Sequence, residues 1–341
     1  MKPTLEAAET ELLADAGFQP PFQGERLPRG RNNQVLKVTD ADGRPAVLKR
    51  YFQHPDDPRD RLRHEWAFLS YAAPLASGMV PNPLGCNATQ RAVVLGFVEG
   101  VPVEGFITPE AVGSAGKFIA GINQADALSA AEVLPVASEA CFTATDHADL
   151  IRRRRERLRA IALTTDVHAA AVSFVESDVA PACAVVAERL ELVGTRSGRR
   201  VISPSDFGFH NAIRLPNGSH CFVDFEYAGW DGIGKLVADF FSQPRIRVDE
   251  GCLDRFLAPL GQILDPEEMA ALEHDIPLLL AAHACKWCCI MLNEFQPVDG
   301  RRRRFAAGEP VLEDSDRLND QFRRAREYFA AVCRPRVEAI G

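Results

Sequence analysis

Three polar side chains in the second half of the chain have the types and the spacing that phosphoryl transfer requires. Asp206 is followed by Asn211 five positions later, and Asp224 comes directly after the apolar pair Phe222-Val223. A carboxylate can orient an attacking hydroxyl and accept its proton, while an amide oxygen and a second carboxylate can hold Mg²⁺ on nucleotide phosphates. An Asp-Asn-Asp pattern is common in loops, so the other parts of such a site must be found elsewhere in the chain.

The first hundred residues contain those other parts. Lys49 lies in a run predicted to be a strand, where its compact charge could contact the phosphates of a nucleotide. Glu65 lies on the next predicted helix and could pair with Lys49. A polar loop that contains Gly30 and Asn33 leads into a strand, and its backbone N–H groups could fold over phosphates. Lysine is scarce in this chain, which makes a lysine at such a position more informative.

Sequence patterns predict the elements that position these residues. Residues 33–39 and 46–52 alternate on either side of an Asp-Gly turn, which predicts a hairpin. Residues 4–16 and 58–73 are predicted helices, the first with Thr4 as its N-cap, and 91–98 is a predicted strand. The later chain is mostly helical, with predicted helices at 109–125, 146–162, 169–193 (kinked at Pro181), 266–273, 276–295 and 314–332.

A β-rich first part followed by a larger helical part predicts an α+β fold with two lobes. The predicted N-lobe, residues 1–98, would be a nucleotide-binding sheet with one helix. The predicted C-lobe, residues 99–341, would carry the catalytic and metal-binding loops and the helices that bind the acceptor. The hinge between the lobes is predicted near residues 98–100.

The order of these parts resembles the protein-kinase-like fold, and in detail the branch of aminoglycoside phosphotransferases and choline kinases. The segment DFEYAGW at 224–230, followed by LVADF at 236–240, is very similar to that branch's metal-binding loop. The segment SDFGFHNA at 205–212 resembles its catalytic loop. The resemblance covers roughly residues 20–300, and it departs from the family at Pro204, where the family usually has a histidine that supports the catalytic loop.

The resemblance implies an enzyme: an ATP-dependent kinase that uses Mg²⁺ and transfers the γ-phosphoryl group to a hydroxyl of a small molecule. Asp206 would be the catalytic base, and Asn211 and Asp224 would hold the metal. The acceptor classes implied are an aminoglycoside, an amino alcohol, a sugar or a nucleoside. Nucleotide contacts are implied for the side chain of Lys49, held by Glu65, for the loop with Gly30 and Asn33, and for the backbone of Gly96 and Val98.

Composition narrows the class of protein. The chain has 341 residues, 46% hydrophobic and 25% charged, with a net charge of −8. This charge argues against general nucleic-acid binding. We find no apolar run close to the roughly 20 residues that span a bilayer, which predicts no membrane partner. Nine scattered cysteines indicate reduced thiols and a cytoplasmic protein. The sequence makes no prediction of the oligomeric state.

Two other functions fit the same residues. One is a nucleotide-binding pseudokinase that acts as a regulatory module, which the proline at position 204 favours. The other is a kinase-like enzyme that modifies a protein, but no activation segment is recognisable between Gly229 and Leu236.

Several further residues have an ordinary and a more specific interpretation. Cys285, Cys288 and Cys289 are interpreted as buried thiols rather than zinc ligands. The arginine runs at 152–155 and 301–304 are interpreted as solvated faces, the alternative being that one of them meets an anionic acceptor. Asp239 is expected to brace the catalytic loop. Trp230, Trp287 and Phe295 are expected to be core residues rather than a cage for a cation. The acceptor pocket is expected to form from 100–121, 227–231 and 286–304.

Overall fold

The computed structural model describes residues 3–27, 33–53, 59–296 and 315–341. The N-terminal part contains one five-stranded sheet with the spatial order β1-β2-β3-β5-β4, in which all neighbours are antiparallel. Its strands are β1 (Gln23–Arg26), β2 (Gln34–Thr39), β3 (Pro45–Arg50), β4 (Pro83–Asn87) and β5 (Ala92–Gly96).

The alternation of side chains along β3 determines where Lys49 points. Leu48 lies on the face that packs with Leu13 of helix α1 (Ala7–Asp15) in a small apolar cluster. Lys49 therefore lies on the opposite face of the sheet, because successive side chains of a strand alternate. On that face its neighbours across the sheet are Val35 of β2 and Val93 of β5.

Helix α2 (Arg61–Leu75) covers this second face. The side chain of Asp60 caps its first turn by accepting a hydrogen bond from the N–H of Arg63 at 3.3 Å. Its buried side chains recur at helical spacing, and Glu65 lies among them beside Leu62 and Phe68. A carboxylate is thus directed into the interior, where it requires a partner.

The rest of the chain is largely helical, which confirms the predicted α+β class. The helices are α3 (Pro109–Gly121), α4 (Ala125–Leu128), α5 (Ala144–Arg157), α6 (Asp166–Phe174), α7 (Ala180–Val193), α8 (Ile233–Ser242), α9 (Leu253–Leu257), α10 (Pro266–Leu292), α11 (Ser315–Tyr328) and α12 (Arg334–Ala339). Five short strands carry the functional loops: β6 (Val101–Pro102), β7 (Arg200–Ser203), β8 (Ala212–Arg214), β9 (His220–Phe222) and β10 (Gly229–Gly232).

Some predicted boundaries were wrong. The predicted helices 266–273 and 276–295 form one helix, α10, with Pro277 inside it. The large buried face of α10 is sufficient reason for the helix to continue past the one backbone hydrogen bond that proline removes. Glu6, rather than Thr4, caps α1 through a reciprocal pair with Glu9. At the predicted kink a wider turn, Val175–Val179, separates α6 from α7, and Pro181 lies in the first turn of α7.

Two helical stretches, Asp166–Val193 and Pro266–Phe295, are long and apolar enough to cross a membrane by length and composition. The sequence pattern had predicted no such stretch. In the second, 67% of the most apolar window is buried inside the protein. It packs against α5, α7 and α8, as the central helix of a globular lobe does.

The cysteines of α10 are buried free thiols, as predicted. Cys285, Cys288 and Cys289 are fully buried, and the sulfur of Cys285 lies 3.5 Å from that of Cys333. Within the described ranges, no group of three or more histidine, cysteine or acidic side chains has the arrangement of a metal site.

Candidate active site

Three of the predicted site residues meet in one ion-pair cluster between the sheet and the C-terminal helices. The ammonium of Lys49 lies 2.6 Å from a carboxylate oxygen of Glu65 and 2.6 Å from one of Asp224. Burial alone would lower the pKa of Lys49, but the carboxylates of Asp224, Glu65 and Glu226 outweigh burial and raise it. Lys49 therefore keeps its charge, as a phosphate ligand must.

The position of Glu65 is fixed from three sides. The same oxygen that binds Lys49 accepts a hydrogen bond from the hydroxyl of Tyr51 at 2.6 Å, and the other oxygen accepts from the N–H of Phe225 at 3.3 Å. Phe225 also stacks on Phe68 of α2 with ring centroids 4.5 Å apart. Helix α2 is thereby attached to the segment that carries Asp224.

Glu226 forms a second connection, which the sequence analysis did not single out. It is buried, accepts a hydrogen bond from the side-chain amide of Asn33 and lies 3.7 Å from Arg61. The side-chain oxygen of Asn33 accepts from the N–H of Phe52 at 3.2 Å. The amide nitrogen and the amide oxygen of Asn33 thus each have a partner within the protein, which fixes the side chain between Glu226 and Phe52.

The catalytic loop places Asp206 beside Asn211 and His210. The side-chain nitrogen of Asn211 lies 3.0 Å from the carbonyl oxygen of Asp206 and 3.3 Å from its carboxylate. The Nε2 atom of His210 lies 3.1 Å from the carboxylate of Asp206. The sequence analysis missed His210 as a neighbour of Asp206, although it lies within the motif that was quoted.

Lys235 and Asp231 brace this loop in place of the family histidine missing at Pro204. The ammonium of Lys235 is fully buried, lies 2.6 Å from Asp231 and donates to the hydroxyl of Ser205 at 3.4 Å. Ser205 has φ 65°, and its N–H donates to the hydroxyl of Ser203. A positive φ at a residue other than glycine is held only where its surroundings enforce it.

In the described part of the chain, Asp239 reaches the catalytic loop only through Lys235, whose ammonium lies 3.4 Å from it and donates to Ser205, and its closest partners lie on another helix. Its carboxylate accepts from the ammonium of Lys286 at 2.5 and 2.6 Å, from His283 at 2.8 Å and from the indole of Trp287 at 3.1 Å, all on α10. Among the described residues, none of the catalytic loop bonds to Asp239, which joins α8 to α10. With proline at position 204, the loop has no imidazole there to reach this carboxylate.

Asp206, Asn211 and Asp224 line one cleft of about 690 Å³. Residues 227 and 286–294 contribute to its wall as expected, but no residue of 100–121 does, because α3 packs on α9 instead. The wall is completed by segments that were not predicted: Ser138, Glu139, Arg154 and Arg157, residues 243–247, and side chains of α11. Gly30 and the arginine run at 301–304 lie outside the described residues.

The ionisation of Asp206 gives a prediction for the pH dependence of activity. Burial alone would raise its pKa, but His210 and Lys286 outweigh burial and hold the pKa below its ordinary value. Asp206 is therefore ionised above that pKa, and an enzyme that uses it as the base should show no acid limb in kcat/KM between about pH 5 and 8. In His210→Gln the limb should move to higher pH. An acid limb at the same pH in His210→Gln and in the wild type would show that His210 does not lower the pKa of Asp206.

The donor set of the cleft suits Mg²⁺. One carboxylate oxygen of Asp224 binds Lys49, while the other has no hydrogen-bond partner in the described part of the chain. The side-chain oxygen of Asn211 likewise accepts no hydrogen bond from any described group. Carboxylate and amide oxygens are the ligands that this hard cation prefers.

The hinge after β5 offers one backbone donor. The N–H of Gly96 donates to the carbonyl of Asn82 at 2.8 Å and is not available to a ligand. The N–H of Val98 donates to no acceptor among the residues described. Of the two predicted adenine contacts, only Val98 can serve as the N–H donor.

The two-lobed fold, with the lysine on β3, the glutamate on α2 and the two loops of the C-lobe, defines a protein-kinase-like enzyme. The model of the phosphotransferase enzyme family matches residues 23–272. The chain belongs to that family.

Solved structures show the same fold at low sequence identity. Plasmodium vivax ethanolamine kinase is 13% identical with a TM-score of 0.57, covering 92% of this chain and 84% of its own. Choline kinase from Cryptosporidium parvum is 12% identical with a TM-score of 0.56, covering 97% of both. A spectinomycin phosphotransferase solved with ADP and spectinomycin is 9% identical with a TM-score of 0.58, covering 95% and 100%. No curated protein matches the chain.

Proposed function

We propose that the protein is an ATP-dependent kinase that transfers the γ-phosphoryl group to a hydroxyl of a small molecule. The observation that carries this proposal is the convergence of Lys49, Glu65 and Asp224 within one ion-pair cluster that adjoins the Asp206 cleft. The three residues lie on different elements. A structural ion pair would need only Lys49 and one carboxylate, whereas here a second carboxylate is placed beside the same ammonium. The family match and the neighbour solved with ADP support a nucleotide as the donor.

Each residue of the cluster has a part in the reaction. On nucleotide binding, the ammonium of Lys49 exchanges its contact with Asp224 for the α- and β-phosphates, while Glu65 continues to hold it. Asn211 and Asp224 would hold Mg²⁺, which when bound neutralises negative charge on the phosphates. The N–H of Val98 would face the adenine edge.

Asp206 orients the acceptor. Its carboxylate accepts a hydrogen bond from the acceptor hydroxyl and takes its proton as the oxygen attacks the γ-phosphorus. The new O–P bond forms as the bond from the γ-phosphorus to the bridging oxygen breaks, and ADP leaves with that electron pair. Positioning and electrostatic stabilisation account for most of the rate in such a site.

Calorimetric titration of ATP, with and without Mg²⁺, tests the nucleotide half of the proposal. We expect metal-dependent binding to the wild type, and we expect Asp224→Ala to lose the metal dependence because a metal ligand is gone. Asp15→Ala, which removes an exposed carboxylate at the end of α1, is the matched control and should bind as the wild type does. Unchanged metal-dependent binding in Asp224→Ala would refute the role of Asp224. No binding to the wild type would refute the kinase proposal.

A further inference from the structure

The wall of the Asp206 cleft is rich in basic side chains although the protein as a whole is acidic. Two acidic residues of the wall, Asp206 and Asp224, belong to the reaction itself. The remaining charged residues that line the cleft are Arg59, Glu139, Arg154, Arg157, Asp239, Arg245, Arg247, Lys286, Glu294, Arg324 and Glu327. Which of these charges a bound molecule can use depends on how each is already paired.

Arg154 keeps donors available to a ligand. It is 9% exposed and lines the cleft, and one nitrogen of its guanidinium donates to Glu139. Its Nε atom is buried and has no acceptor anywhere in the part of the chain that the structure describes. A guanidinium carries five N–H groups, so most of the donors of Arg154 are not used by Glu139.

Lys286 lies in the same wall and also retains a donor. It is 6% exposed, and an ammonium carries three N–H groups. Two of them are accounted for by the oxygens of Asp239, at 2.5 and 2.6 Å. Among the described residues no acceptor takes the third.

The acidic side chains of the wall outside the reaction centre are each paired within the protein. Asp239 binds Lys286, Glu139 binds Arg154, Glu327 binds Arg323 at 2.7 Å, and Glu294 binds Arg317. Burial alone would raise the pKa of Glu139, but the positive charges of Arg154 and Lys286 outweigh burial and lower it. A cationic acceptor would have to displace these pairs.

Among the residues described, three aromatic rings line the cleft, and that of Tyr328 is buried with its hydroxyl donating to the carbonyl of Ser242. The other two, Trp287 and Tyr227, are already in contact with cations of the protein. The ammonium of Lys286 lies over the ring of Trp287, 5.2 Å from its centroid. The guanidinium groups of Arg59 and Arg61 lie 5.4 and 5.8 Å from the centroid of Tyr227. Both rings thus already carry a cation of the protein, which would repel a substrate ammonium.

We propose that the acceptor is an anionic hydroxyl compound, with a carboxylate or phosphoryl group held by Arg154 and Lys286 while its hydroxyl meets Asp206. This inference rests on the proposed kinase function and specifies its substrate class. The guanidinium N–H groups of Arg154 that Glu139 does not take and the third N–H of Lys286 supply charge-assisted donors to that group. The charge of the acceptor would thus differ from that of the ethanolamine and choline named in the structural neighbours.

The test compares acceptors that share a three-carbon skeleton and differ in charge. Aminopropanediol, glycerol, glycerate and glycerol phosphate are titrated by calorimetry into the full chain saturated with ADP. A second series uses glucosamine, glucose, gluconate and glucose phosphate, so that the size of the acceptor is varied separately from its charge. We expect an anionic member to bind at least about 10-fold more tightly than its neutral counterpart, as two charge-assisted hydrogen bonds predict. Glycerate or gluconate as the tighter anion would identify a carboxylate, and the phosphate esters a phosphoryl group.

Variants of the ion pair between Arg154 and Glu139 distinguish an anionic acceptor from a cationic one. Arg154→Gln should weaken binding of the anion by about 10- to 100-fold. Glu139→Gln removes a competing carboxylate and should bind the anion at least as tightly as the wild type. If the acceptor were cationic and bound at Glu139, the second variant would instead weaken binding. Arg153→Gln makes the same change at an exposed neighbour on α5 outside the cleft, and should leave binding unchanged.

The inference is overturned if the amine member binds as tightly as the anions, or if no anion exceeds the neutral compound. It is also overturned if Arg154→Gln and Arg153→Gln weaken anion binding equally. These outcomes differ from failure of the kinase proposal, which the absence of ATP binding would show. Arg154→Lys, which keeps the charge but not the fork of donors, covers the case in which Arg154→Gln does not fold.

Discussion

Asp206→Ala is expected to lower kcat by about 10²–10⁴-fold, which is what a positioned general base contributes. Nucleotide binding should persist, because Lys49 is held by Glu65 and Asp224 and has no ion pair with Asp206. Turnover and ATP affinity are measured on the same preparation, so that loss of the base is separated from loss of the nucleotide site.

Two further variants sharpen this prediction. Asp206→Asn keeps the shape of the side chain beside Asn211 and His210 but cannot take a proton, and it should lose about as much activity as the alanine variant. Asp15→Ala, at the exposed end of α1, should keep full activity. Full activity in Asp206→Asn would show that the residue only supports the loop.

Asp239→Ala is expected to lower the free energy of unfolding by about 3–5 kcal/mol, because it leaves the charge of Lys286 buried without its counter-ion. Denaturant unfolding measures the change. The exposed pair of Asp320 with Arg323 is the control, since surface ion pairs contribute little, and Asp320→Ala should unfold much as the wild type does. Equal effects in the two variants would contradict the prediction.

The same residue makes stability depend on pH. Burial alone would raise the pKa of Asp239, but Lys286, His283 and Lys235 outweigh burial and hold the pKa well below its ordinary value. The contribution of Asp239 is therefore fully present above the unfolded-state pKa of about 4, and is lost as the pH falls through the folded-state pKa. The double variant Asp239→Ala/Lys286→Met should lose less free energy of unfolding than Asp239→Ala alone, because it leaves no unpaired ammonium buried at position 286.

Local sequence patterns were sufficient to predict the elements that carry Lys49 and Glu65. The alternation around the Asp-Gly turn predicted the hairpin of β2 and β3, and with it the strand that carries Lys49. The spacing of apolar residues predicted α2 and placed Glu65 on it. Strands β1 and β4 were missed, since β1 (QGER) contains no apolar residue and β4 (PLGCN) contains a proline and a glycine, which strands disfavour. Whether these residues bind nucleotide stays a prediction.

The position of Arg154 on the predicted helix could have distinguished it from the other arginines of its run. The run at 152–155 was interpreted as a solvated face, but only Arg154 of the four is buried. It follows the buried residues His147 and Ile151 of α5 at helical spacing. Four consecutive residues span a full helical turn, so on a helix that packs against a core at least one of them points inward, and the flanking apolar positions show which one.

The sequence by itself determined the fold class and the family resemblance, and it predicted Asp206, Asn211 and Asp224 as site residues, because these depend on short motifs that can be recognised locally. Only the tertiary structure decided what surrounds them. Lys286 and His283 meet Asp239 across more than forty positions of sequence, and Arg154 reaches the cleft from yet another helix. Such contacts follow from how helices pack, and helical periodicity gives the buried face of each helix without giving its partner.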